Sequence, residues 1–295
     1  MISGIGMALA PMSARYSAIL LTESMFTFLV ALACWLWLIK KWKWAGFVWG
    51  ISILVRPSPL LFVMILPILP LFAVKLRRDA VSLSLMTLVT FIVISPWIIR
   101  NAYVFHQFIP VASSGYGNNL LIGSINLNIN QPMWDQVNTA RLVSKDELSG
   151  KNEFDADKVL LQKALKRIRE SPLQWLIARS KQYPIFFADL GQYFFSGPGK
   201  WKTTVVTVFL AGNLIMLLLS AYGLYLGKDN FVVHLPISLW PIYMTLVHLP
   251  MWVEPRYSLP MMPMLAIFAS IGISKLFTII KHKFVSAAIT VTTKL

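Results

Sequence analysis

The segment His248-Leu-Pro-Met-Trp-Val-Glu254-Pro-Arg256-Tyr257-Ser-Leu-Pro260-Met-Met-Pro263 separates two apolar stretches, residues 232–252 and 258–280. Each stretch has the roughly 20 apolar residues that a helix needs to cross a bilayer. Glu254 and Arg256 are therefore expected at a membrane surface. Two interpretations of them are open. Arg256 binds a phosphate at the lipid headgroup level with help from Tyr257, or it neutralises Glu254 in a short turn while Tyr257 joins an aromatic belt.

The composition predicts an integral membrane protein. Of the 295 residues, 57% are hydrophobic and 13% are charged, whereas charged residues make up about a quarter of an ordinary soluble domain. The formal charge of +15 comes mostly from short basic clusters beside apolar stretches, which is typical of topology signals, and we expect no nucleic-acid partner. Cys34 is the only cysteine, so the sequence excludes a disulfide framework and a cysteine-based metal site.

Further apolar stretches predict membrane helices at about residues 17–39, 80–98 and 203–226. Residues 44–74 are too long for one span and are interrupted by Arg56-Pro57-Ser58-Pro59, where proline cannot continue a helix. We therefore predict a hairpin of two helices with Arg56 at its tip. The predicted fold is an all-α, polytopic transmembrane bundle of about seven membrane helices or half-helices.

The hairpin decides the predicted orientation of the chain in the membrane. It gathers the basic residues near 40–43, 75–78, 228 and 275–283 on one side, which the positive-inside rule assigns to the cytoplasm of a multi-pass inner (plasma) membrane protein. Three segments follow: membrane helices in 1–100, an outer-face or periplasmic segment in 101–202, and membrane helices in 203–295.

The outer segment has two parts. Its beginning, residues 113–126, is rich in Gly, Ser and Asn, which predicts an ordered loop rather than a helix. Apolar residues at helical spacing from Leu161 to Ile168 predict an amphipathic helix capped by Asp155 or Asp157. Ser171-Pro172 predicts the start of a second helix.

Ionisable and polar residues at the outer ends of the spans are the candidates for a site, since such residues are costly at membrane depth. Each also has a structural interpretation. Glu23 would pair with Arg15, Arg100 would be a helix-end cation, and His106 and His248 would be an ordinary loop and bundle histidine. The candidates are Glu23, Arg56, Arg100, His106, His248, Glu254 and Arg256.

Six motifs in chain order resemble those of the GT-C membrane glycosyltransferases, particularly the bacterial dolichyl-phosphate-mannose-protein mannosyltransferase-like and aminoarabinose-transferase-like enzymes. The motifs cover nearly the whole chain. They are Leu-Thr22-Glu23-Ser-Met-Phe, Trp-Gly50-Ile-Ser-Ile-Leu-Val-Arg56-Pro57, Ser95-Pro96-Trp97-Ile-Ile-Arg100-Asn101, Gly-Tyr-Gly-Asn118-Asn119-Leu-Leu-Ile-Gly123, the stretch from Ala164 to Pro172, and Arg256-Tyr257-Ser-Leu-Pro260-Met-Met-Pro263.

The resemblance implies transfer of a sugar from a polyprenyl-phosphate donor to a lipid, glycan or protein acceptor on the outer face. By position, Arg256 with Tyr257 would hold the donor phosphate, with Arg56 and Arg100 next, and Asn118 and Asn119 lie in a shared motif. A divalent metal is compatible with the resemblance, although the sequence shows no metal-ligand spacing.

One departure from the family concerns catalysis. The family has an earlier span and an outer loop with a catalytic acid that this chain does not match, so the resemblance leaves the catalytic residue open, with Glu23 and His248 as candidates. The expectation is an N-terminally shortened member, either an inactive fragment or a subunit that works with a separate N-terminal polypeptide.

Two other functions are open. A lipid or solute transporter would show broken helices at corresponding positions of two repeated halves, and the sequence has one broken segment and no repeat. An O-antigen-type polymerase or ligase would also use a polyprenyl donor, but such proteins have more spans than this chain offers.

Overall fold

The computed structural model describes residues 4, 22–111, 115–125, 145–182, 186–187, 200–228 and 234–292, and these contain helices and turns but no strand. The predicted all-helical class is therefore confirmed for this part of the chain. The α-helices are α1 Glu23–Leu38, α2 Trp42–Val55, α3 Pro59–Ile65, α4 Leu69–Phe72, α5 Ala80–Phe105, α6 Tyr116–Gly123, α7 Lys145–Leu148, α8 Glu153–Glu170, α9 Pro172–Gln182, α10 Lys200–Leu226, α11 Leu235–His248 and α12 Met262–Thr292. Short 3-10 helices, Val74–Asp79 and Pro255–Met261, precede α5 and α12.

Two helical stretches are long and apolar enough to cross a membrane, Val74–Phe105 and Pro255–His282. Shorter apolar helices are Glu23–Leu38, Trp42–Val55 and Leu210–Leu226. The long pair gives weak support for membrane association, because length and composition are the only criteria that they meet. The seven-helix count stays a prediction, as do the sidedness and the three-segment division. Helix α5 runs through the predicted boundary at residue 100 and ends at Phe105.

The predicted hairpin between residues 44 and 74 is present. Helix α2 ends at Val55, and the next residue, Arg56, has an extended backbone. The proline that follows Arg56 disfavours the helical region there. The chain then returns through α3 and α4. Since α2 and α5 run parallel, the basic residues that precede each of them lie at one end of the helices, and Arg56 lies at the other.

Small residues bring α2 and α5 into close contact. A Cβ atom at Gly46 would lie 2.3 Å from the Met86 carbonyl oxygen, and one at Gly50 would lie 2.5 Å from the Val93 Cβ. The Thr90 hydroxyl donates to the Gly46 carbonyl at 2.9 Å. This packing fixes the register of the hairpin, and so the position of Arg56, against α5.

Helices α10 and α12 run parallel, because Met216, Ser220 and Gly223 contact successively later parts of the second chain segment, and they pack through a second set of small residues. A Cβ at Gly223 would lie 1.9 Å from the Phe268 carbonyl oxygen, and one at Gly272 would lie 2.6 Å from that of Leu219. This pairing places the end of α10, followed by Lys228, beside the turns of α12 that follow Gly272. Lys228 therefore lies toward the same end of the helices as Lys275, as the sequence predicts, and the membrane face at that end stays a prediction.

An aromatic cluster joins α11 to the hairpin. Trp49 and Trp240 are fully buried, with ring centroids 5.3 Å apart, and Phe62 packs edge-on to Trp240 at 5.2 Å. The Trp240 indole donates to the Pro260 carbonyl at 3.1 Å. Aromatic contacts of this kind add to the burial of large apolar surfaces. The cluster sets α11 and the Pro255–Met261 helix beside the end of α2.

The outer segment differs from its prediction in two respects. Residues 116–123, expected to be a loop, form helix α6, and the cap of α8 is Asn152, whose side chain accepts from the Asp155 amide at 2.9 Å. The predicted cap residue Asp157 instead accepts hydrogen bonds from backbone amides at the start of α6. Helix α9 begins at Pro172 as predicted.

Candidate functional site

Three chain segments that are distant in sequence meet at the end of the bundle where α2 stops. Glu23 is the first residue of α1, Arg56 follows α2, and Arg256 lies in the 3-10 helix before α12. Arg56 Nη2 is 2.6 Å from Glu23 Oε1, and Arg256 Nη1 is 3.7 Å from the same oxygen. One buried carboxylate thus holds two guanidinium groups together.

Glu23 lies deeper than its sequence position suggests. Its side chain has no solvent exposure, while Arg56 and Arg256 keep 23% and 27%. Arg56 also donates from Nε to the Thr22 hydroxyl at 3.0 Å. Arg15, the partner expected for Glu23, lies outside the described residues. Within the described residues, Arg56 and Arg256 pair with Glu23, whereas the sequence predicts Arg15 as its partner.

Arg256 has a second acidic partner. Its Nε atom is 2.6 Å from Glu254 Oε2, so the two charges neutralise each other as the structural interpretation of the sequence proposed. A guanidinium has more N–H donors than these contacts use, however, and part of the Arg256 side chain remains accessible. The ion pair therefore orients the Arg256 side chain and leaves some of its N–H groups available to a ligand.

Tyr257 and His248 form a stack beside the arginines. The Arg56 and Arg256 guanidinium carbons lie 5.8 and 5.4 Å from the Tyr257 ring centroid, within the range of cation–π attraction. The His248 ring is 5.5 Å from Tyr257. Its Nδ1 is 2.9 Å from the Met244 carbonyl, which can only accept. Nδ1 therefore carries a proton, and in the neutral ring Nε2 is left as an acceptor.

These side chains open onto a cavity of about 350 Å³, within the size range of small-molecule sites. It is lined by the end of α2 and the start of α3, by the start of α6, and by α11 with the segment that follows. The lining residues are Arg56, Pro57, Ser58, Leu61, Gly115, Tyr116, Asn119, Tyr243, Val247, His248, Met251, Trp252, Arg256 and Tyr257. Tyr243 donates a short hydrogen bond to the Ser58 carbonyl, which ties α11 to the hairpin tip.

Asp157 of α8 holds the α6 wall of the cavity. Its carboxylate accepts from the backbone amides of Gly115, Gly117 and Asn118 at 3.0, 2.9 and 3.2 Å. These are amides at a helix N-terminus, where a negative charge is stabilising. Gly117 is required because a Cβ there would lie 2.0 Å from the Asp157 carbonyl oxygen. The α6 wall is therefore fixed to α8.

The outer segment is also fixed to the chain between α11 and Arg256. The Trp252 amide donates to the Asn119 carbonyl at 3.0 Å, and a Cβ at Gly123 would lie 2.8 Å from the Trp252 nitrogen. Arg179 of α9 is buried and donates to the Met251 carbonyl at 2.6 Å. Burial lowers the pKa of its guanidinium to about 10, so the group remains charged at neutral pH. These contacts hold Met251 and Trp252, which line the cavity, against α6 and α9.

The structure brings together some predicted site residues and separates others. Five line the cavity: Arg56, Asn119, His248, Arg256 and Tyr257. Glu23 and Glu254 lie behind the arginines as partners. Arg100, His106 and Asn118 are exposed and are not among the lining residues. Arg100 lies over the Trp97 ring at 5.0 Å and donates to its neighbour Asn101, and His106 ends α5 in a left-handed conformation.

Sequence reasoning did not identify Tyr116, Tyr243 and Trp252 as lining residues or Asp157 as the anchor of α6. Tyr116 and Trp252 lie within or beside quoted motifs, so motif context was the available signal. Tyr243 was hidden in an apolar stretch, and nothing in the sequence indicated a contact between Asp157 and Gly117.

Within the described residues, no three His, Cys, Asp or Glu side chains come together as metal ligands. Searches against protein-family models, curated proteins and solved structures find no match to this chain. The GT-C resemblance therefore rests on the quoted motifs alone.

Proposed function

We propose that this protein is a membrane glycosyltransferase of the GT-C type. It binds a polyprenyl-phosphate sugar on the outer face of the inner (plasma) membrane. The observation that carries the proposal is the convergence of Arg56 and Arg256 on one cavity beside apolar helices. Two guanidinium groups on a cavity wall fit the oxygens of a phosphate. The apolar helices next to them suit the lipid tail.

The four charges around the cavity explain why the arginines stay in place without a ligand. Arg56 and Arg256 are balanced by Glu23 and Glu254, which offsets the cost of holding two like charges close together. A phosphate would bind through the N–H groups that these ion pairs leave available.

The transfer step uses the same groups. The acceptor hydroxyl oxygen forms a bond to C1 of the sugar, and the bond between C1 and the phosphate oxygen breaks. The electron pair leaves with the polyprenyl phosphate, whose developing charge Arg56 and Arg256 stabilise. His248 Nε2 takes the acceptor proton, since none of the described residues that line the cavity is Asp or Glu.

A binding measurement tests the proposal on the full chain in detergent or nanodiscs. Farnesyl phosphate, a short polyprenyl phosphate, is titrated by calorimetry against the parent protein, Arg56→Gln and Arg256→Gln. Loss of a charged hydrogen-bond donor should weaken binding by about tenfold to a hundredfold.

Arg100→Gln is the matched control, because Arg100 contacts Trp97 and does not line the cavity. It should leave the affinity within about twofold of the parent value. Unchanged affinity in Arg256→Gln and Arg56→Gln, or an equal loss in Arg100→Gln, would refute the phosphate site.

A further inference from the structure

The cavity lining contains two chemically different groups of residues. Arg56 and Arg256 are the cationic group, and Gly115, Tyr116, Asn119 and Trp252 form a neutral group, which we call the second wall. The second wall comes from α6 and the segment that α6 contacts through the Trp252 amide and Asn119 carbonyl. Its side chains are polar or aromatic but carry no charge at neutral pH.

The second wall offers hydrogen-bonding groups that the described protein does not use. The Asn119 side-chain amide and the Tyr116 hydroxyl make no hydrogen bond within the described residues. The Trp252 indole nitrogen is buried and has no acceptor within the described residues, while the Trp252 residue contributes to the cavity lining. The Asn119 amide and the Tyr116 hydroxyl are therefore the groups of this wall that a ligand would use for hydrogen bonds.

We infer that the cavity selects a donor whose sugar is uncharged and that this sugar lies on the wall formed by Tyr116, Asn119 and Trp252. The inference rests on the proposed function, because it assigns the phosphate to Arg56 and Arg256. Amide and hydroxyl groups match sugar hydroxyls, and aromatic rings suit the apolar face of a sugar.

The charges of the cavity argue against a charged sugar. An ammonium group on the sugar would lie on a wall that offers no carboxylate among the described lining residues, so it would lose hydration without gaining an opposite charge. A carboxylate on the sugar would lie on a wall with no cation, at a distance from arginines already bound to phosphate and to Glu23 and Glu254. An uncharged ring avoids both costs.

Asp157 is the positioning residue for this wall. It holds the Gly115, Gly117 and Asn118 amides and is itself absent from the cavity lining. Asp157 thereby fixes the first turn of α6, which carries Tyr116 and Asn119, without lining the proposed sugar site.

The test compares four farnesyl phosphate probes on the full chain: the bare phosphate and its glucosyl, glucosaminyl and glucuronyl forms. The parent protein should bind the glucosyl form more tightly than either charged form by about tenfold. Asn119→Ala should lower glucosyl affinity roughly threefold to tenfold and leave bare-phosphate affinity unchanged. Asn118→Ala, a neighbour outside the cavity lining, should change neither.

The Asn119→Asp variant is a second test of the sugar preference, because it places a carboxylate of nearly the same shape where the amide was. It should shift the preference toward the glucosaminyl form. Equal or tighter parental binding of a charged form would overturn the inference, as would equal losses for bare and glucosyl probes in Asn119→Ala. Failure of the proposed function is distinct, since Arg256→Gln would then leave all four affinities unchanged.

Discussion

Arg56 and Glu23, 33 residues apart in the chain, form an ion pair with 2.6 Å between Nη2 and Oε1. The pair joins the tip of the α2–α3 hairpin to the first turn of α1. Because Arg256 contacts the same oxygen, this one carboxylate also connects the hairpin to the segment before α12. The geometry of the cavity therefore depends on an acid that does not line it.

Replacement of Glu23 tests that dependence. Glu23→Gln keeps the side-chain shape but leaves both arginines without their shared charge. We expect unfolding to become easier by about 2 kcal/mol, less than for a fully buried pair because the arginines are partly exposed. The midpoint of thermal unfolding in detergent measures it. Glu254→Gln is the control, and its loss should be about 1 kcal/mol or less. Equal losses would show that Glu23 has no special role.

Gly117 is expected to tolerate no side chain. An added Cβ would lie 2.0 Å from the Asp157 carbonyl oxygen and 2.7 Å from the Leu161 nitrogen, and both atoms belong to the backbone of α8. Gly117→Ala should therefore separate α6 from α8 at a cost of about 2 kcal/mol and increase proteolytic cleavage in the outer segment. Asn118→Ala, an exposed neighbour on α6, should leave the cleavage rate unchanged. A cleavage rate like that of the parent in Gly117→Ala would contradict the contact.

Composition and proline placement were sufficient to predict the helical class and the hairpin. The apolar stretches had no alternative to helices, and Arg56-Pro57 could not continue α2. The same reasoning collected Arg56, Arg256, Tyr257 and His248 at one end of the bundle, because each followed or preceded an apolar stretch there. These predictions used only local chemistry and span length.

Predictions that depended on tertiary packing were less successful. Residues 116–123 looked like a loop because Gly and Asn are weak helix formers, yet contacts with α8 and the Asp157 carboxylate stabilise α6. Arg100 is predicted among the phosphate-binding residues, and because α5 continues to Phe105 it lies over the Trp97 ring and outside the cavity lining, so its binding role stays a prediction.

Asp157 should control the exchange of the amides that it binds. Asp157→Asn keeps one acceptor oxygen but loses the charge and the second acceptor, so the Gly115, Gly117 and Asn118 amides should exchange with deuterium at least about tenfold faster. Hydrogen–deuterium exchange with mass spectrometry measures this. Asp155→Asn is the control, since Asp155 contacts Asn152 at the start of α8. Unchanged exchange at these amides in Asp157→Asn would rule out the anchor.

The contact between α10 and α12 gives a prediction within the helical bundle itself. A Cβ at Gly223 would lie 1.9 Å from the Phe268 carbonyl oxygen, so Gly223→Ala should push the helices apart. It should also weaken the hydrogen bond from the Ser220 hydroxyl to the Leu265 carbonyl, with a combined loss of about 2 kcal/mol in thermal unfolding. Gly212→Ala lies on the same helix with nothing within 4 Å, and should be neutral or slightly stabilising because alanine is the better helix former. If both variants melt like the parent, α10 and α12 do not meet through Gly223.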